Sequence, residues 1–520
     1  MNSALRNSVF GTVLFVTLAT AANGQTFDLV INNGRVIDPE TGFDAIAHVG
    51  IVDGEIVEIA QSQLEGEQVI DASGLIVAPG FIDLHSHSVV DLPANRLQAF
   101  DGVTTALELE SGVLPIADWY ASVEAEGRAT NFGATASWSF ARIATMVPEM
   151  PPVEPTAAWY QGAFNYPRWT TNVTTEEELD KIIDLIQQGL DDGALGIGVN
   201  SGYVPGVGGK ELLRIWELAA ENGVPVSTHM RNWSEADPLS SLEGLAMVLG
   251  LSATSGARTN ICHLHSTNLH DTLKAADMVD KARSIGIDVH TEVYPYGIAS
   301  MPIASAVLLQ AGEAFRARMG IDFDSVRLIA KGRWIEDEAD MRAEQDADPG
   351  QFIIMRYLDE EDATDADILR KVTALPWIAI ASDSIPYTQP DGTPITGEEW
   401  PMPDNAFSNP RSAGTYGKFL REWVREDELL DWPEAIAKVS LIPAQLFDGQ
   451  VPAMERKGRL QEGMDADITV FDPETIGDRA TIDRPFETTE GIEYLIVNGT
   501  AVISGGEMDT DVLPGKPIRK

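Results

Sequence analysis

The long middle of the chain alternates short apolar segments with amphipathic ones, and this alternation restricts the fold more than any other feature. "GALGIGVNSG", "GKELLRIWELAAENG" and "VPVSTHM" follow one another, and "SLEGLAMVLGLSATSG", "TNICHLHS", "DTLKAADMVDKARSIG" and "IDVHTEVYPYG" continue the pattern. Apolar runs of four to eight residues separated by helix-length segments of period 3.6 predict parallel strands with crossover helices. This many repeats favours a closed α/β barrel of the (β/α)8 type. The texture changes at both ends. "FDLVINNGRVID" and "AIAHVGIVDGEIVEIA", with "NNG" and "VDGEI" as turns, read as hairpins, and "ADITVFDPE" and "IEYLIVNGTAVISGGEM" resume that texture. Residues 25–80 and 450–520 are therefore predicted to pair as a small β-sandwich domain beside a barrel of 81–449. The stretch at about 303–372 is strongly charged and reads as a helical insertion or lid.

Residues 1–24 carry Arg6, an apolar run from Val9 to Ala19 and then small residues, the layout of a secretory signal peptide cut between Ala22 and Gln25. That run is too short to span a bilayer, so the mature chain is expected in the periplasm or secreted, with no membrane insertion. Cys262 is the single cysteine and excludes an internal disulfide. Eighty acidic against 36 basic residues give a net charge of −44. Such a surface repels nucleic acid and anionic membranes. It suits solubility, as in a saline habitat, or the gathering of cations near a metal site.

Against that background "GVTTALELESG" is odd, because Glu108 and Glu110 stand two apart on one face of an otherwise apolar strand. Carboxylates do not enter an interior unpaired. The histidines suggest what meets them. His85 and His87 in "GFIDLHSHS" share one face of a strand end. His229 ends "VPVSTHM", His263 and His265 in "TNICHLHS" share another face, and Asp383 follows the apolar strand of "WIAIASDS". In a β/α barrel the C-terminal strand ends converge on one site. Imidazoles with carboxylates suit zinc or a similar divalent ion.

Taken together, "GFIDLHSH", "STHMRN", "ICHLHS", "VYPYG", "IASDS" and "EGMDADITVFDP" resemble the amidohydrolase superfamily, and within it the N-acyl-D-amino-acid deacylase (D-aminoacylase) group. The resemblance runs from about residue 27 to the closing "PGKPIRK". It implies a metallo-barrel holding one or two zinc ions that cleaves the amide of an N-acyl amino acid of D configuration. By resemblance His85 and His87 hold one metal position, His229 and His263 the other, and Asp383 is the general base, a residue that could also serve as a ligand. The group's pattern after "GVTT" leads to a metal-bridging Cys, where this chain has Glu110, Ser111 and Gly112. Other amidohydrolases bridge with a carboxylated lysine, but Lys181 and Lys210 lie in helix-like text. Glu110 is therefore the expected bridging ligand. Glu108 is the alternative, or a partner for Arg142 or for a ligating histidine.

The resemblance also places Tyr203, Tyr296 and Arg411 beside the substrate, with Arg411 matching an arginine that binds the substrate carboxylate. His265 is counted with them as a substrate-binding residue; it stands where many D-aminoacylases have lysine, so the side-chain or acyl preference is expected to differ from theirs. Cys262, His270 and His290 are read as structural. A dipeptidase or a cyclic-amide hydrolase would use the same metal centre, and a non-catalytic binding protein on the same fold would have lost a ligand or Asp383.

Overall fold

A computed structural model describes residues 26–520 apart from 310, 311, 390, 391 and 398; the expected signal peptide lies outside the described residues. Eight parallel strands follow one another around a barrel: β1 (Phe81–Asp83), β2 (Val103–Val113), β3 (Asn131–Ser137), β4 (Ile197–Asn200), β5 (Val226–His229), β6 (Thr259–Ile261), β7 (Val289–Val293) and β8 (Ala379–Ile380). Each pairs with its neighbour in sequence order. The ring closes where Asp83, at the end of β1, accepts hydrogen bonds from Ser382 N (3.0 Å) and Ser382 Oγ (2.5 Å), just past β8. Beyond them, His87 N donates to Ser384 O at 3.0 Å.

The crossover helices form for local reasons. In Glu176–Asp191, between β3 and β4, Thr175 and Glu178 make a reciprocal capping box. Leu179, Ile182, Ile186 and Leu190 fall at helical spacing and are buried against the strands. Helix Gly209–Asn222 buries Leu212, Ile215, Trp216 and Ala219, and ends at Gly223, which takes φ +61 to stop the turn.

The chain ends do meet, as nine strands. They hydrogen-bond into one sheet with a core of its own. Leu29, Ile31, Val49 and Ile51 from the N-terminal part pack there with Ile468, Val470 and Ile496 from the C-terminal part. Two tight turns lock them together: Asp53-Gly54 and Asn498-Gly499 all take positive φ, and Gly54 approaches so closely that a Cβ there would sit 2.8 Å from Asn498 O. The last residues leave this sheet. Phe132 N donates to Lys516 O (3.1 Å) and Ile518 N to Phe132 O (2.7 Å), so the tail is laid along β3 of the barrel.

The insertion departs from the helical expectation. Ile298–Pro302, Phe352–Arg356, Val326–Leu328 and Arg333–Trp334 form a four-stranded antiparallel sheet, with helices Gly312–Met319 and Glu338–Ala347 between strands. Its strands are only two to five residues long. The charged helical text between them masks the pattern.

Candidate metal centre

The C-terminal ends of β1, β2, β5 and β6 bring four imidazoles around one carboxylate. Glu110 Oε1 lies 2.9 Å from His263 Nε2 and 3.0 Å from His229 Nδ1. Its Oε2 lies 3.6 Å from both His85 Nε2 and His87 Nε2. Glu110 thus stands between two histidine pairs, one on each oxygen. Asp383 faces the first pair, with Oδ1 3.4 Å from His85 Nε2 and 3.7 Å from His87 Nε2. All these side chains are buried or nearly so.

The outer nitrogens of the first pair are also fixed. Glu292 Oε1 is 2.5 Å from His85 Nδ1, and its Oε2 accepts from Asn260 Nδ2 at 3.0 Å. Glu108 Oε2 is 2.7 Å from His87 Nδ1, and its Oε1 accepts from the backbone N–H of Ser111 and Gly112 at 3.2 Å each. Each carboxylate accepts a hydrogen bond from Nδ1–H, so each Nε2 turns a lone pair inward. The two Nε2 atoms are 3.2 Å apart and look onto two more carboxylates. Such a set of acceptors repels itself unless positive charge lies among them.

The titration behaviour follows. Burial disfavours charge on His87, but Glu108 outweighs it and pushes the pKa up to about 10. Burial likewise opposes a charged His85, yet Asp383, Glu110 and Glu292 hold it well above the usual histidine range. Glu110 is driven the other way: burial is overcome by His85 and by hydrogen bonds from His229 and His263, leaving it well below the carboxylate range. Without a cation, protons do the neutralising.

Backbone geometry aims two of these side chains. His263 (φ +32) and Asp383 (φ +48) both take left-handed conformations within three residues of their strand ends. His263 therefore does not share a strand face with His265: β6 ends at Ile261, and His265 lies in the short helix Leu264–Asn268. His265 is fully buried, with its ring edge-on to Tyr294 at 4.3 Å, and burial followed by the charges of His263 and Arg411 keeps it neutral.

The expected substrate residues divide. Tyr203 lines the cavity above the centre, with its ring 4.5 Å from that of His229. Tyr296 does not: it is buried under Lys418, whose Nζ lies 4.1 Å from the ring centre, and its hydroxyl points toward Gly414. Arg411 is fully buried behind Asp383. Its Nε donates to Asp383 O (2.7 Å), its Nη1 to Ile298 O (3.0 Å), and Nη2 is 2.8 Å from Asp383 Oδ2. The reading of Arg411 as a substrate-carboxylate contact is corrected accordingly, since it holds the catalytic candidate and is off the cavity wall. Arg142 does not pair with the strand glutamates, because both Glu211 oxygens engage its Nη1.

Glu292 was missed in the sequence reading, although the signal that exposed Glu110, an acid inside an apolar strand, was present in "DVHTEV".

Comparison with known proteins places this geometry. A model of the amidohydrolase family matches residues 68–182 and 161–503. The chain belongs to the amidohydrolase family. It is 26% identical to the N-acyl-D-glutamate deacylase of Alcaligenes xylosoxydans xylosoxydans, over 95% of this chain and 97% of that protein. It is 26% identical to the D-aminoacylase of the same organism, over 92% and 95%. Among solved structures, the N-acyl-D-glutamate deacylase of Bordetella bronchiseptica, complexed with zinc and a phosphonate inhibitor, superposes with a TM-score of 0.73 at 24% identity, covering 95% of this chain and all of that one. This amidohydrolase is a metal-dependent hydrolase of C–N bonds by its family, and its fold is that of the deacylases.

Proposed function

We propose that this amidohydrolase is an exported, zinc-dependent deacylase that hydrolyses N-acyl amino acids of D configuration to a carboxylate and the free amino acid. The observation that carries the reading is Glu110 bridging two histidine pairs, with Asp383 beside them. The full-length likeness to the two Alcaligenes deacylases supports the substrate class. Zinc is the metal of the Bordetella structure. The signal-like N-terminus supports export to the periplasm or the medium.

The donors fit a divalent ion. His85, His87 and Asp383 form one cluster of ligand atoms, and Glu110 with His85 and His263 another. His229 faces Glu110 Oε1 together with His263. A divalent cation held there supplies the charge that polarises a carbonyl and makes a bound water acidic. The chain's own residues do the rest. Glu292 and Glu108 fix the tautomers of His85 and His87 by accepting hydrogen bonds from their Nδ1–H groups. Asp383 accepts the proton of the attacking water and delivers it to the amide nitrogen as the C–N bond breaks. Arg411 keeps that carboxylate on the inner side of the site, gripping both its side chain and its carbonyl.

The test is amine release from matched N-acyl-D- and N-acyl-L-amino acids by the zinc-loaded protein, with and without chelator. Chelator-sensitive turnover of the D series supports the reading; no turnover of either series with zinc bound overturns it. One observation favours a second reading, a cyclic-amide hydrolase: with Arg411 behind Asp383, the cavity wall offers no cation for a free carboxylate. Hydantoins and dihydropyrimidines belong in the same assay.

A further inference from the structure

The cavity above the metal centre is about 730 Å³ including its mouth. Its charged lining residues are His87, Glu108, Glu110 and Asp383, all parts of the centre itself. Among the described residues no lysine or arginine reaches its wall. The undescribed residues within 26–520 are Gln, Ala, Pro, Asp and Glu, so none of them is a cation either.

The buried arginines are already engaged. Arg128 donates to Val89 O, Val90 O and Glu126. Arg142 binds Glu211 and Trp169 O, and Arg411 holds Asp383 and Ile298 O.

The remaining wall is mostly apolar and backed by packed rings. Phe140 stacks on Trp159 at 5.0 Å and on Tyr160 at 5.8 Å. Tyr160 is braced in turn by Phe164 at 5.5 Å and Trp169 at 6.0 Å. These aromatic rings come from the connection between β3 and β4. The inserted sheet contributes Pro302 and Phe352 to the wall.

We propose that this cavity selects substrates whose side chain is uncharged and apolar, and rejects the acidic side chains of N-acyl-glutamate and N-acyl-aspartate. The inference rests on the deacylase reading above. A side-chain carboxylate settling against this wall would lose its water and meet no lysine or arginine there. An aliphatic or aromatic side chain exchanges water for ring contacts. The α-carboxylate is common to every N-acyl amino acid, so a comparison within one acyl series isolates the side chain.

The experiment measures kcat/KM of the zinc-loaded protein for N-acetyl-D-phenylalanine, N-acetyl-D-leucine and N-acetyl-D-glutamate. The expected result is a preference of at least about a hundredfold for the apolar pair. Gln161→Arg, which sets a cation on the half-buried wall, narrows that gap by raising glutamate turnover. Glutamate turnover equal to or above that of the apolar pair overturns the inference and leaves the deacylase reading standing. If none of the three is hydrolysed, the deacylase reading fails instead. Calorimetric titration of the zinc-loaded protein with N-acetyl-D-phenylalanine and N-acetyl-D-glutamate then decides the selectivity. Binding at least tenfold tighter for phenylalanine supports it, and any smaller difference, or the reverse order, overturns it.

Discussion

Glu292 Oε1 lies 2.5 Å from Nδ1 of His85, across 207 residues of sequence. The contact fixes which nitrogen of His85 carries its proton, and so which one is left to bind metal. Carboxylates that hold a ligating imidazole in this way typically contribute a factor of about 10 to 100 in metal affinity. Glu292→Gln is expected to weaken zinc binding by that factor while the fold persists, measured by competition with a chromophoric chelator.

Among the described residues, Glu110 is the one carboxylate that lies against both histidine pairs at the centre. Glu110→Ala removes the bridge and leaves imidazoles facing one another. Zinc per chain, measured by elemental analysis after dialysis, is expected to fall, and kcat to drop by about a hundredfold or more. Glu108→Gln disturbs only the His87 side, so it is expected to retain more metal than Glu110→Ala.

Arg411→Lys keeps the charge but cannot reproduce the forked grip on Asp383 O and Oδ2. A carboxylate displaced by an ångström from its working position costs on the order of a hundredfold. The expected outcome is a loss in kcat with KM little changed. A rise in KM alone would instead return Arg411 to the substrate.

Gly202 lies against His229: an added Cβ would sit 2.2 Å from Cδ2 and 2.6 Å from Nε2 of that ring. Gly202→Ala must push the imidazole aside, lowering zinc affinity by an order of magnitude or so. Gly209 opens a helix with nothing within 4 Å of its Cβ position, and its φ is not positive. Gly209→Ala should change stability by no more than about 1 kcal/mol, in the stabilising direction. Thermal melts with and without zinc separate the two effects.

His270 ties three segments together. Its Nδ1 is 2.5 Å from Glu235 Oε1 and its Nε2 3.2 Å from Asp365 Oδ1. The hydrogen bond to Glu235, opposed by burial and aided by both acids, raises its pKa above the ordinary 6.5. A histidine raised on folding stabilises fully below the unfolded value and loses that contribution as pH climbs through the folded one. The melting temperature of His270→Gln should therefore fall furthest below the parent near pH 6. The difference should shrink as pH rises through the raised value of the folded protein.

The expectation for His265 failed for a geometric reason. Two-residue spacing puts side chains on one face only while the strand lasts, and β6 stops at Ile261. Tyr296 and Arg411 went astray similarly: both follow recognisable motifs, but packing under Lys418 and behind Asp383 decides where their polar ends go.

The sequence by itself determined the barrel, the pairing of the two ends and the chemical character of the centre. Strand and helix periods are local, and buried carboxylates among histidines announce a cation wherever the chain takes them. Only the tertiary structure decided which residue does which task. Glu110 bridges while Glu108 orients, because Oε1 and Oε2 of Glu110 reach four rings from three different strand ends and Glu108 is held by His87 and two backbone amides. Those directions depend on left-handed turns at His263 and Asp383 and on partners such as Glu292 across the barrel. No window of local sequence contains them.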